Sequence, residues 1–317
     1  MYVKFWGTRG SIPTPIPSST IKEKIRQALE GAAGLDLTNE TVLERYIERL
    51  PMTIQGTTGG NTLCLEVRSG DQLLILDAGS GIRMLGIDLM KKGYSQGHQQ
   101  ADILISHTHW DHIQGFPFFQ PAFVPNNQIT FLSPFDNLEE RIAQQQLAPY
   151  FPVPMSYMSA TLTFKQIKPN EPGQIGKFKV WPMRTSHPGE TYIYRIEDET
   201  SALVYATDSE FKRADRESTK LYTDFFQDCD LLVFDAQYSF AEVWDRPDWG
   251  HSSAIMGAEF AYRAAAKRLA LFHHDPTSTD EKVWGAKEQA EAYLMHKHRN
   301  QHRCEVLVAY DELSLEI

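Results

Sequence analysis

The sequence predicts an α/β sandwich, and three stretches carry that prediction. Ile103-Leu104-Ile105 is a short aliphatic run that stops at Ser106-His107-Thr108-His109-Trp110-Asp111-His112. Leu203-Val204-Tyr205-Ala206-Thr207 stops at Asp208, and Leu231-Leu232-Val233-Phe234 stops at Asp235. Such runs read as buried strands. A buried strand that recurs and ends on an ionisable side chain is what an α/β sandwich provides.

The other elements follow in order. Val3 and Phe5 alternate with polar neighbours as in a half-buried strand, and Gly7-Thr8-Arg9-Gly10-Ser11 turns the chain. Pro13 to Pro17 is a breaker. Ile21, Ile25 and Leu29 then recur at helical spacing, and a second helical stretch covers about residues 41–50. Its apolar positions Val42, Tyr46 and Leu50, with Ile21 and Ile25, are expected to pack on the body; covering a site or meeting a second subunit are the alternatives. Leu63-Cys64-Leu65-Glu66-Val67, the turn Ser69-Gly70-Asp71 and Leu73-Leu74-Ile75-Leu76-Asp77 read as a hairpin. Asp77 by itself could cap a following helix.

Gly115-Phe116-Pro117-Phe118-Phe119 and Tyr150-Phe151-Pro152-Val153-Pro154 suit a rim beside a site, where rings can stack on a base, or plain packing under a long loop. Tyr192, Tyr194 and Ile196 alternate as in a strand. Past Gly250-His251-Ser252-Ser253 comes an amphipathic helix with Ala258, Ala261, Tyr262 and Ala265, then the strand Leu269-Ala270-Leu271-Phe272. Ser278 with Glu281 three residues on has capping-box spacing and opens a last helix to about His298. Residues 304–309 and 313–317 read as closing strands.

Composition bounds the function. The 317 residues, 42% of them hydrophobic, can bury a substantial core. No apolar run nears the ~20 residues that span a bilayer, so a soluble, cytoplasmic protein without a membrane partner is expected. Cys64, Cys229 and Cys304 are odd in number and without CxxC spacing, which argues against a disulfide framework or a thiolate zinc site. The net charge is -10, and no basic face for long nucleic acid is evident, since the most cationic stretch, Lys287 to Arg303, is punctuated by Glu288 and Glu291 as on a solvated helix face; a small anionic substrate held by metal ions needs none.

The histidine cluster points to metal. Residues two apart in an extended segment face one side, so His107 and His109 can grip one ion. Asp111 and His112 diverge, and after a bend could serve a second. Imidazole and carboxylate donors without thiolate suit zinc, manganese or iron alike.

The run His107-Thr108-His109-Trp110-Asp111-His112 resembles the HxHxDH motif of the metallo-β-lactamase superfamily of hydrolases. The other landmarks stand in the usual order: Asp77 in Leu-Asp-Ala-Gly, His187 in Thr-Ser-His-Pro-Gly, Asp208 in Ala-Thr-Asp-Ser-Glu, and His273 in Leu-Phe-His-His-Asp-Pro. This resemblance implies an αββα sandwich forming one domain over residues 1–317. A helical insertion at about residues 14–56 replaces the nearly direct passage of relatives from the opening turn to Gly59-Gly60-Asn61-Thr62.

It further implies two divalent ions, zinc or manganese, with iron also fitting. One would take His107, His109 and His187, the other Asp111, His112 and His273, with Asp208 as the bridge and a shared hydroxide as nucleophile. Asp77 would orient the ligand loop. The stretch from His251 to Asp275 resembles the C-terminal module of tRNase Z-like phosphodiesterases. That likeness implies His251 as general acid, with Asp111 counted beside it as catalytic, Asp235 and His274 as supports, and Trp110 and Ser252 as substrate contacts. The implied substrate is a 3',5'-cyclic nucleotide and the implied assembly a homodimer. A precursor tRNA, another small cyclic phosphodiester, and a ligand-binding regulator on the same fold are the alternatives. The chain lacks the long Gly/Pro-rich arm of tRNA nucleases.

Overall fold

A computed structural model describes residues 1–211, 216–298 and 304–317. The apolar runs form β1 (Tyr2–Gly7), β2 (Cys64–Ser69), β3 (Gln72–Leu76), β4 (Gln100–Leu104), β5 (Gln128–Ser133) and β6 (Thr161–Gln166). After them come β7 (Gly173–Ile175), β8 (Phe178–Arg184), β9 (Tyr192–Glu197), β10 (Ala202–Ala206), β11 (Leu231–Asp235), β12 (Arg268–Phe272), β13 (Glu305–Val308) and β14 (Ser314–Glu316). They pair into two seven-stranded sheets of order β14-β1-β2-β3-β4-β5-β6 and β13-β12-β11-β10-β9-β8-β7. In each sheet one half is antiparallel and the other parallel: β3 to β6 run together, as do β10 to β13.

The parallel strands β3, β10, β11 and β12 are buried on both faces and therefore read as unbroken apolar runs. One core lies between the sheets, where Phe5, Leu76 and Ile103 of the first share a cluster with Tyr194, Tyr205 and Phe272 of the second. A second core, with Val204, Leu232 and Leu271, lies under outer helices. Cys64 and Cys229 pack in these cores as free thiols.

The described residues hold ten α-helices. In the first half these are α1 (Ser18–Gly31), α2 (Glu40–Arg49), α3 (Met52–Gln55), α4 (Ile82–Lys91), α5 (Trp110–Ile113) and α6 (Leu138–Gln144). The second half adds α7 (Arg216–Phe226), α8 (Phe240–Asp245), α9 (Ala254–Arg263) and α10 (Asp280–His298). With α4 packed on the first sheet and α9 and α10 on the second, the layers stack as αββα. No helix among the described residues is long and apolar enough to cross a membrane.

Three local expectations are corrected. α10 is capped by Thr279, whose Oγ1 accepts the Lys282 N–H at 3.3 Å, because the Ser278 carbonyl is taken by the buried Arg9 guanidinium. Tyr262 is 38% exposed and Ala265 lies beyond the end of α9 with φ +53°.

The third concerns α1. Ile21, Ile25 and Leu29 face solvent, and the buried side chain of the helix is Lys24. Its ammonium donates to the Thr53 and Gly56 carbonyls at 2.6 and 2.7 Å and to Asp280 Oδ2 at 2.7 Å, fastening α1 to the start of α10. Burial pushes the Asp280 carboxyl up, but Lys24 and the N–H and hydroxyl of Thr58 more than reverse this and hold it below its ordinary 3.8. Lys24→Met should therefore cost about 3 kcal/mol in denaturant unfolding at pH 7. With the folded value depressed, the pair's contribution is complete above pH 3.8 and is lost as pH falls through the folded value, so the gap between native and variant should close in acid.

Candidate metal centre

Parallel strands deliver the polar residues at their carboxyl ends, the edge where α/β sheets bind ligands. Asp77 follows β3, the histidine cluster follows β4, Asp208 follows β10, Asp235 ends β11 and His273 follows β12. Asp77, Asp208 and His273 take φ of +58°, +50° and +60°. This left-handed backbone turns the chain sharply off its strand, at a steric cost that the surrounding core sustains.

The seven residues expected as ligands converge. His109 Nδ1 lies 2.9 Å from His107 Nε2 and 3.1 Å from His187 Nε2. On the other side, His273 Nε2 stands 3.4 Å from Asp111 Oδ2, and His112 Nε2 3.6 Å from the same oxygen. Asp208 lies between the two groups. Its Oδ1 is 3.9 and 3.7 Å from the Nε2 atoms of His107 and His187, while its Oδ2 is 3.2 and 3.3 Å from those of His112 and His273.

The donor set fits a pair of cations. His112 Nε2 and both ring nitrogens of His273 are buried and have no hydrogen-bond partner among the described residues. Burial pushes His107, His109 and His187 toward the neutral form that ligates. At His112 and His273 burial acts the same way, yet Asp208 and Asp111 more than offset it and hold both well above the ordinary value. The carboxylates thus favour positive charge at that spot.

Supporting contacts fix the rings. Asp77, fully buried, accepts the Ser106 N–H on Oδ1, and the Ser106 hydroxyl, His112 Nδ1–H and Tyr205 hydroxyl on Oδ2, each at 2.8 Å. It caps no helix: α4 begins at Ile82 behind Gly81. His187 Nδ1 donates to the Gly250 carbonyl at 3.0 Å, leaving Nε2 for the centre. His251 Nδ1 donates to Asp235 Oδ2 at 2.8 Å, and its ring stacks on His273 with centroids 4.8 Å apart.

One expected residue stands elsewhere. His274 is buried with Nε2 donating to the Ala309 carbonyl, a bond that ties β12 to the chain beyond β13 and touches no ligand side chain. Burial pushes that imidazole down to about 3. Ser252 is also buried; its N–H donates to Asp235 Oδ1 and so braces the partner of His251, and the residue lines a cleft together with His251. Trp110 is 77% exposed and lines an open cleft of about 520 Å³.

Several supports gave no sequence signal. Ser11, at φ +64°, donates its N–H to Asp111 Oδ2 at 2.7 Å across 100 positions. Gly10 lies so close to the His273 ring that a Cβ would sit 2.2 Å from it. At Gly250, φ +83°, a Cβ would meet His187 Nδ1 at 2.1 Å. Glu210 accepts the N–H groups of Asp248 and Gly250 and so holds the loop that carries His251.

A family model described as a beta-lactamase superfamily domain matches residues 74–274, the span from β3 to the second of the paired histidines. The chain belongs to that superfamily. The probable metallo-hydrolase YhfI of Bacillus subtilis is 26% identical over 236 residues, covering 71% of this chain and 86% of the relative. The crystal structure of YhfI covers 99% of this chain and 98% of its own, with a TM-score of 0.64 at 18% identity. Ribonuclease Z of Nitrosopumilus maritimus is 23% identical over 303 residues, 82% of this chain and 94% of the relative. Human tRNase Z, short form, matches with a TM-score of 0.60 at 17% identity over 100% of this chain and 99% of that one. The likeness in fold to these two structures thus extends beyond the matched residues 74–274, over 99 and 100% of the chain.

Proposed function

We propose that the protein is a dinuclear metal-dependent phosphodiesterase acting on a small nucleotide phosphodiester, with 3',5'-cyclic nucleotides as the substrate class. The observation that carries this reading is Asp208, whose two oxygens face two separate groups of imidazoles. His107, His109 and His187 would hold one ion, Asp111, His112 and His273 the other, and Asp208 both. Bound there, two divalent ions supply an activated water and neutralise charge on phosphoryl oxygens.

The chain's own residues do the rest. Asp77 holds His112 and the Ser106 backbone, so the ligand loop keeps one shape. Asp235, satisfied by the N–H groups of Asp208, Gln237 and Ser252, orients His251 through Nδ1 and leaves Nε2 to protonate a departing ribose oxygen. Trp110 offers an exposed ring to a base.

A precursor tRNA is the second reading, favoured by the ribonuclease Z relative and opposed by the net charge of -10. The deciding experiment loads the protein with zinc or manganese, counts bound metal, and measures turnover of 3',5'-cyclic nucleotides, bis(p-nitrophenyl) phosphate and a precursor tRNA. About two ions per chain and cleavage of cyclic nucleotides with tRNA intact is the expected result. Cleavage of tRNA alone would overturn the substrate class, and metal-loaded protein inert on all three would remove the phosphodiesterase.

A further inference from the structure

The cleft beside the centre holds a cation that makes no direct ion pair among the described residues. Arg141, on α6, donates Nε–H to Asn137 Oδ1 at 2.7 Å and reaches Thr108 Oγ1 at 3.5 Å, and its guanidinium lies 4.1 Å over the buried ring of Phe135. All three partners are neutral. Among the described residues it forms no ion pair, in a chain whose net charge is -10; Glu190, which accepts the Tyr192 hydroxyl at 2.6 Å, is the carboxylate that shares its surroundings. Thr108 stands between the ligands His107 and His109, so this charge sits one residue from the first imidazole group.

The rest of the cleft has matching chemistry. Gln145 lines it, and Gln145 Nε2 is buried without a hydrogen-bond partner. Trp110 and Tyr150, 77% and 81% exposed, contribute rings to the same wall. An unpaired guanidinium and an unpaired amide N–H₂ are both donors, so the occupant they suit is rich in acceptors. A planar guanidinium pinned over a ring presents its remaining N–H groups as a fork that matches phosphate. Exposed rings alongside suit a base.

We propose that this cleft binds a second phosphate of the substrate, distinct from the one at the metal centre, through Arg141 and Gln145, with a nucleobase against Trp110 or Tyr150. The inference rests on the phosphodiesterase reading and deepens it: among the small nucleotide phosphodiesters that the centre would cleave, those carrying a second phosphate group should be held the more tightly.

Calorimetric binding to metal-loaded protein tests this without turnover, using adenosine 5'-monophosphate and adenosine 3',5'-bisphosphate as probes. The bisphosphate should bind about tenfold or more tightly, Arg141→Gln should remove that advantage, and Arg141→Lys should restore part of it. Equal affinities in the native protein, or an advantage that survives Arg141→Gln, would overturn the proposal. Turnover of bis(p-nitrophenyl) phosphate by the native protein is read in parallel. Its absence counts against the phosphodiesterase alone, since the binding ratio decides the second phosphate site by itself.

Discussion

Asp208→Asn should strip the protein of metal and lower turnover of its diester substrate by about 10³-fold or more. Asparagine tolerates the left-handed backbone at this position, so the change removes charge with little strain. The carboxylate is 2% exposed, and its oxygens are the shared neighbours of four imidazoles drawn from two groups. Its neutralisation leaves Asp111 as the one carboxylate among the expected ligands. Metal counting by plasma emission and turnover on the same sample check the result. Full metal content with reduced activity would move Asp208 from ligand to orienting group, and retention of both would end its assignment as the bridge.

His251→Ala should act on chemistry and spare the metal. Turnover of a substrate with a ribose leaving group should fall about 100-fold or more, with metal content unchanged. The loss should be much smaller on bis(p-nitrophenyl) phosphate, since nitrophenolate departs without a proton. Asp235→Asn should reproduce the pattern more weakly, because His251 would keep a hydrogen-bond acceptor in place but lose the buried carboxylate that orients its ring at 2.8 Å. Equal losses on both substrates, or metal lost with activity, would assign His251 a structural role.

The strands that carry the centre were legible because each is an apolar run with an ionisable end, and burial on both faces leaves that pattern in the sequence. The His107–His109 pair was legible because alternation in extended chain is local geometry. What escaped is contact at long range. Nothing around Gly10 or Ser11 shows that this turn will lie on His273 and Asp111, and nothing around Arg141 shows that α6 will bring it to Thr108. Spacing also misled where a tertiary partner outweighed it. The apolar stripe of α1 is outward because Lys24 has three oxygens to satisfy inside, and the capping position moved from Ser278 to Thr279. At His274 proximity in sequence to a functional residue suggested function, whereas its ring nitrogen serves the Ala309 carbonyl.

Each half of the centre draws on both sheets. His107, His109, Asp111 and His112 come from the loop after β4, whereas His187, Asp208 and His273 come from the loops after β8, β10 and β12. Any ion held by either group therefore staples the two halves of the sandwich at one rim, and it binds only where the sheets are already docked. Occupancy and folding then become one equilibrium: free ion at a hundred times its dissociation constant would add about 2.7 kcal/mol to the docked state for each site. A chain short of metal would lose this staple between the sheets along with its chemistry.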